Sequence, residues 1–123
     1  MIKAILYVGM GGFIGSVGRY LISYWLLRYN HQFPSGTLLV NLLGSFLIGL
    51  ILASSLKNSE SWRLLMVTGF CGGFTTFSAF SIENLKMLQD GQWIPAVQYI
   101  LTSLIGGLFL AFLGYALSTK MLS

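Results

Sequence analysis

Between Gly69 and Ser81 the chain reads GFCGGFTTFSAFS, a segment apolar enough to lie in a membrane yet dense in glycine, hydroxyl and phenylalanine side chains. Gly72 and Gly73 are adjacent poor helix formers. Thr75 and Thr76 follow them, with hydroxyls that compete for backbone hydrogen bonds. The pattern predicts a helix broken near 72–76. Irregular backbone at membrane depth persists only where protein buries it or where it lines a polar cavity, because an unpaired carbonyl in lipid is costly. Carbonyls freed at such a break can coordinate a cation. Paired glycines also serve plain close packing, and the residues alone leave both readings open.

Beyond the predicted break, Phe77 and Phe80 stand three apart on one helix face, with Ser78 and Ser81 as a parallel row beside them. A phenyl ring is positive at its edge. Ring edges together with hydroxyl donors could therefore accept a small anion without a full positive charge, although phenylalanines at this spacing also simply pack. Thr37 and Asn41 stand one turn apart at the start of another apolar run, and a buried amide such as Asn41 needs partners, in a pore or on a neighbouring helix. Arg19 lies inside the first run and must snorkel, pair or bind backbone carbonyls. Glu83, one turn past Phe80, is the acidic residue nearest a span interior; it is either functional or interfacial. His31, between Asn30 and Gln32, reads as a solvated loop residue. Cys71 is the single cysteine and reads as a small buried hydrophobe. No carboxylate pair, metal-ligand cluster, activated nucleophile or phosphate loop appears, so the chain is not expected to be an enzyme.

The elements that must position these residues are membrane spans. The 123 residues are 55% hydrophobic and 8% charged, far below the roughly 25% charged residues of soluble domains. Four apolar runs, at about 4–29, 36–56, 62–88 and 93–119, each reach the ~20 residues needed to cross the hydrocarbon core. The connections are short, which makes the whole chain one four-span all-α unit. Lys3 before the first run suggests a signal peptide, but the run is too long and lacks a cleavage site, so it reads as mature structure. The formal charge of +4 is not gathered into a patch, which argues against nucleic-acid binding. Lys3, Lys57, Arg63 and Lys120 fall on the side of the termini, with Arg28 and Lys86 opposite. This bias fits termini inside, or insertion in both orientations. Small residues recur at helix-contact spacing in Gly11 and Gly15, in Ser45 and Gly49, and in Ser103, Gly107 and Ala111. They serve either packing within the chain or association of copies, and four thin helices with little room for an internal pore favour an oligomer.

The run from Gly69 to Ser81, the Gly-x-x-x-Arg of Gly15 to Arg19 and the Pro-x-Gly-Thr-Leu-x-Val-Asn of Pro34 to Asn41 together resemble the Fluc (CrcB) fluoride channels, across all four spans in length and order. The resemblance implies an antiparallel, dual-topology homodimer in the cell inner membrane, with two fluoride pores at the interface and a central structural sodium ion. It implies that the backbone carbonyls of Gly72 and Thr75 face sodium, that Phe77 and Phe80 turn ring edges to fluoride and that Asn41 donates to the anion. Ser78, Ser81, Thr37 and Glu83 would be further polar pore residues, and Arg19 would sit at the vestibule. Ala79 departs from the family pattern where many members carry a hydroxyl, and Phe74 where many carry a smaller aliphatic residue; the second change is expected to affect packing. Two other classes fit four spans. A proton-coupled multidrug transporter would need an acidic residue in the first span, and none is there. A non-transporting assembly subunit would not explain the paired Phe and Ser rows.

Overall fold

The computed structural model describes residues 1–27, 33–55 and 59–122. His31, Arg28 and Lys57 lie outside the described residues. Among the described residues six α-helices and one π-helical stretch make up four apolar spans: α1 (Ile2–Leu27), α2 (Ser35–Ser55), a composite third span, and α6 (Trp93–Leu122). The third span starts as α3 (Glu60–Arg63), widens into a π-helical stretch over Leu64–Cys71, tightens again as α4 (Gly72–Phe74), and resumes as α5 (Phe77–Gln89). All four spans are long and apolar enough to cross a membrane. Most large apolar side chains on α1 and α6 are exposed, as expected where lipid rather than water is the surrounding solvent.

The helix ends follow from local chemistry. The Ser59 hydroxyl caps α3 by accepting from the Trp62 amide at 3.3 Å. Gly91, at φ +76°, ends α5 in the left-handed conformation that glycine adopts without strain. The Gly91 amide reaches the Leu88 carbonyl at 3.2 Å and the Gln92 amide reaches Met87 at 2.8 Å, which satisfies two terminal carbonyls and turns the chain directly into α6. Pro95 sits in the first turn of α6, where a missing N–H costs nothing. The π-helical stretch had no counterpart in the sequence reading.

Small residues decide which helices meet. A methyl group at Gly11 would run into the Leu65 carbonyl and lie 2.7 Å from the Phe70 amide; one at Gly15 would meet the Phe70 carbonyl and the Phe74 amide at 2.8 Å. The third span answers with its own glycines, for a methyl at Gly69 would stand 2.9 Å from the Val8 carbonyl and one at Gly73 2.6 Å from that of Gly12. On the other side α2 lies along α6, its most extensive partner. There Gly49 closes on Ala111 and Tyr115, and Gly114 on Phe46 and Leu50. The stripes therefore act within the chain, joining α1 to the third span and α2 to α6.

Candidate functional site

The third span breaks within the predicted 72–76, but at Thr75 and Thr76 alone; Gly72 and Gly73 stay helical in α4, and Gly73 packs closely on Gly12 of α1. Thr75 (φ −87°, ψ 157°) and Thr76 (φ −149°, ψ 123°) are extended, and their side chains repair part of the interruption. Both the amide and the hydroxyl of Thr75 donate to the Cys71 carbonyl, at 3.1 and 2.9 Å. The Thr76 hydroxyl caps α5 by accepting from the Ala79 amide at 3.1 Å, and it also lies 3.2 Å from the Ser78 hydroxyl.

Two side chains from other helices complete the repair. Asn41 Nδ2 donates to the Thr76 carbonyl at 3.0 Å, and the Thr76 amide donates to Asn41 Oδ1 at 2.8 Å. One carboxamide thus pairs with both groups of one residue, as a neighbouring strand would. It leaves Asn41 one further N–H. Arg19 Nε donates to the Gly73 carbonyl at 3.1 Å; of the three ways to keep an arginine inside a span, this chain binds a backbone carbonyl. In an unbroken helix the Thr76 amide would have served the Gly72 carbonyl. That carbonyl has lost its helical donor to Asn41.

The break opens into a cleft of about 390 Å³ between α2 and the third span. Asn41, Ser45, Thr68, Gly72, Thr75 and Phe77 are among its lining. Ser45 entered the sequence reading only as a small packing residue, and Thr68 not at all, because a lone threonine on an apolar run carries no signal. Phe77 is 77% exposed, whereas the Phe80 ring is partly covered. The two ring centroids lie 5.6 Å apart at 39°, so the predicted shared face exists. Ser78 and Ser81 are both exposed.

Phe80 connects this cleft to a second polar cluster. Its ring meets Tyr99 edge to face, with centroids 5.0 Å apart at 61°, and the Tyr99 ring is fully buried. The Tyr99 hydroxyl donates to Glu83 Oε2 at 2.9 Å and the Thr37 hydroxyl to Oε1 at 2.6 Å. Both carboxylate oxygens therefore have donors, one from α2 and one from α6. Thr37 and Glu83 also line a small pocket of about 80 Å³ with Ser23 and Ser35. Tyr99 was missed in the sequence; its partner lies 16 positions back across a turn, and nothing local distinguishes it from a packing tyrosine. Beside the cluster, the buried Asn84 donates to the Phe80 carbonyl at 2.8 Å.

Most of the sequence-predicted residues thus fall into two groups, with Ser78 and Ser81 exposed on α5 outside both. Asn41, Gly72, Thr75 and Phe77 line the cleft, with Arg19 bonded to the backbone beside it. Thr37 and Glu83 form the second cluster, and Phe80 stands between the two. Phe74 is buried and stacks on Phe70 with centroids 5.5 Å apart. Among the described residues no three His, Cys, Asp or Glu side chains gather as metal ligands.

Comparison with known proteins agrees with this architecture. A protein from Chlorobium chlorochromatii called fluoride-specific ion channel FluC is 52% identical over 113 residues, covering 89% of this chain and 88% of its own length. Proteins of the same name from Azobacteroides pseudotrichonymphae and Leptospira interrogans are 46% and 47% identical, covering 96% and 91% of this chain and 98% and 91% of their own. The family model for CrcB-like protein, Camphor Resistance (CrcB), matches residues 6–115, a stretch that contains the break, the second and third spans and most of the first and last, and the chain belongs to that family.

Proposed function

We propose that the chain is a subunit of a passive, fluoride-selective channel that lets the anion leave the cell across the cytoplasmic membrane and so relieves fluoride toxicity. The relatives' shared name supports the substrate. At the level of residues the reading is carried by one observation: a largely apolar cleft at the broken middle of a membrane span, into which Asn41, Thr75 and Thr76 bring polar groups and which Phe77, in ring contact with Phe80, borders at the subunit surface. Fluoride holds its water tightly, so a selective path must replace that water with closely placed donors. The remaining N–H of Asn41, the Ser78 and Ser81 hydroxyls and the positive edges of the two rings supply such donors. Thr37 and Glu83 extend the polar route beyond Phe80, and Arg19 adds a positive charge near the cleft that favours anions. Larger anions are excluded chiefly by size.

A second, antiparallel copy is the natural cover for this face. Polar backbone beside a cleft at membrane depth is costly against lipid, and a weak Lys and Arg bias permits both orientations. Such a homodimer would contain two pores. The donor chemistry at its centre suits sodium, because the Gly72 carbonyl lacks its helical donor and Thr75 adjoins it in the cleft lining; broken-helix carbonyls are known sodium ligands. Those two carbonyls would hold the ion, which when bound supplies a fixed positive charge joining the copies. The test is fluoride efflux from liposomes carrying the purified protein, followed by a fluoride electrode beside a chloride control. Fast fluoride release without chloride release is expected, and Phe80→Ile is expected to abolish it with the oligomer intact. Wild-type efflux in that variant would sink the ring-edge role, and no release from folded wild-type protein would overturn the channel reading.

A further inference from the structure

The break is a weak point in an otherwise stiff span. Only Thr75 and Thr76 link α4 to α5, and the two halves belong to different neighbours. The π-helical stretch and α4 pack on α1, whereas α5 packs chiefly on α6. The extended residues interrupt the helical hydrogen bonds between the two halves. Two long-range contacts span the gap. Arg19, from α1, donates to the Gly73 carbonyl on the near side, and Asn41, from α2, pairs with the Thr76 amide and carbonyl on the far side. Behind these contacts α1 and α2 lie close, since a methyl at Gly36 would stand 2.8 Å from Ser23 Cα. Gly44, one turn beyond Asn41, adds a stop: a methyl there would run into Thr75 Cγ2 and come within 3.3 Å of the Phe74 ring.

We infer that Arg19 and Asn41 are positioning residues that together brace the break, fixing through the α1–α2 pair the angle at which α5 presents Phe77 and Phe80. This deepens the channel reading and rests on it only for the transport consequence. The brace acts on the protein's own backbone, so it operates with no anion present. A side chain whose sole work is to touch fluoride or draw it in would not.

The experiment measures amide hydrogen exchange by mass spectrometry over residues 72–80, in fluoride-free buffer, for the full-length protein in lipid nanodiscs. Asn41→Ala and Arg19→Met should each speed exchange of this segment about tenfold, the effect of losing backbone-directed hydrogen bonds, while Ser81→Ala leaves it unchanged. Asn41→Asp keeps an acceptor for the Thr76 amide but offers no N–H to the Thr76 carbonyl, and should fall between Ala and wild type. This variant decides the matter if the alanine protein does not fold. In liposomes, braced-break variants should lose maximal flux that no excess of fluoride restores. Wild-type exchange in both Asn41 variants, with flux recovered at high fluoride, would overturn the brace and leave Asn41 a pure anion contact. Absent fluoride flux in the parent protein would defeat the channel reading without touching the exchange result.

Discussion

At the scale of single residues the strongest local arrangement is Glu83, held at one oxygen by Thr37 from α2 and at the other by Tyr99 from α6. Hydrogen bonds to a carboxylate are worth about 1.5 to 3 kcal/mol when buried, so Tyr99→Phe and Thr37→Val should each destabilise the protein by about 1 to 3 kcal/mol, read as thermal or denaturant unfolding in detergent. Because both act on one carboxylate, the double variant should depart from the sum of the two; strict additivity would show that Glu83 does not couple them. This cluster also marks how far residues could be read from sequence. Glu83 and Thr37 were visible as polar groups on apolar runs and by family resemblance, but their mutual contact spans 46 positions and Tyr99 offered no local sign. Asn41 shows the same limit: its need for a partner was legible, whereas the choice of the Thr76 backbone depends on how α2 lies against the break.

At the scale of elements, hydropathy and run length were enough to mark four spans, since a membrane demands long uninterrupted helices and punishes anything else. The break was legible too, through Thr75 and Thr76, whose hydroxyls compete for backbone hydrogen bonds, although the glycines before them stay helical. The π-helical stretch was not, for a run that is apolar on nearly every face shows no change of phase when its turn widens. Small-residue stripes announced close approach without naming the partner helix. Their energetic weight can be tested on α1 alone. Gly15→Leu would drive a side chain into the Phe70 carbonyl and the Phe74 amide, backbone that cannot step aside, and should cost more than about 3 kcal/mol. Gly9→Leu, on the same helix, meets nothing within 4 Å and should be neutral or stabilising by up to about 1 kcal/mol. Similar losses at both positions, in unfolding measured in the same detergent, would mean that α1 does not hold the third span through its glycines.

At the scale of the whole molecule, the spans are unequal in length. At about 1.5 Å per residue, the 30 residues of α6 reach about 45 Å, well past the ~30 Å of hydrocarbon in a typical bilayer. The 21 residues of α2 reach only about 32 Å. The shortest span therefore feels membrane thickness first, while α6 tilts or projects. Because α2 also carries Asn41 and Gly44, any stretch or compression it suffers is delivered to the broken span. Fluoride flux across a series of phosphatidylcholines of increasing acyl length should accordingly peak where the hydrocarbon is about 30 Å thick, and flux indifferent to chain length would detach α2 from the break. If flux follows thickness in this way, α2 is a gauge of the lipid around it, and the bilayer becomes a mechanical component of the protein.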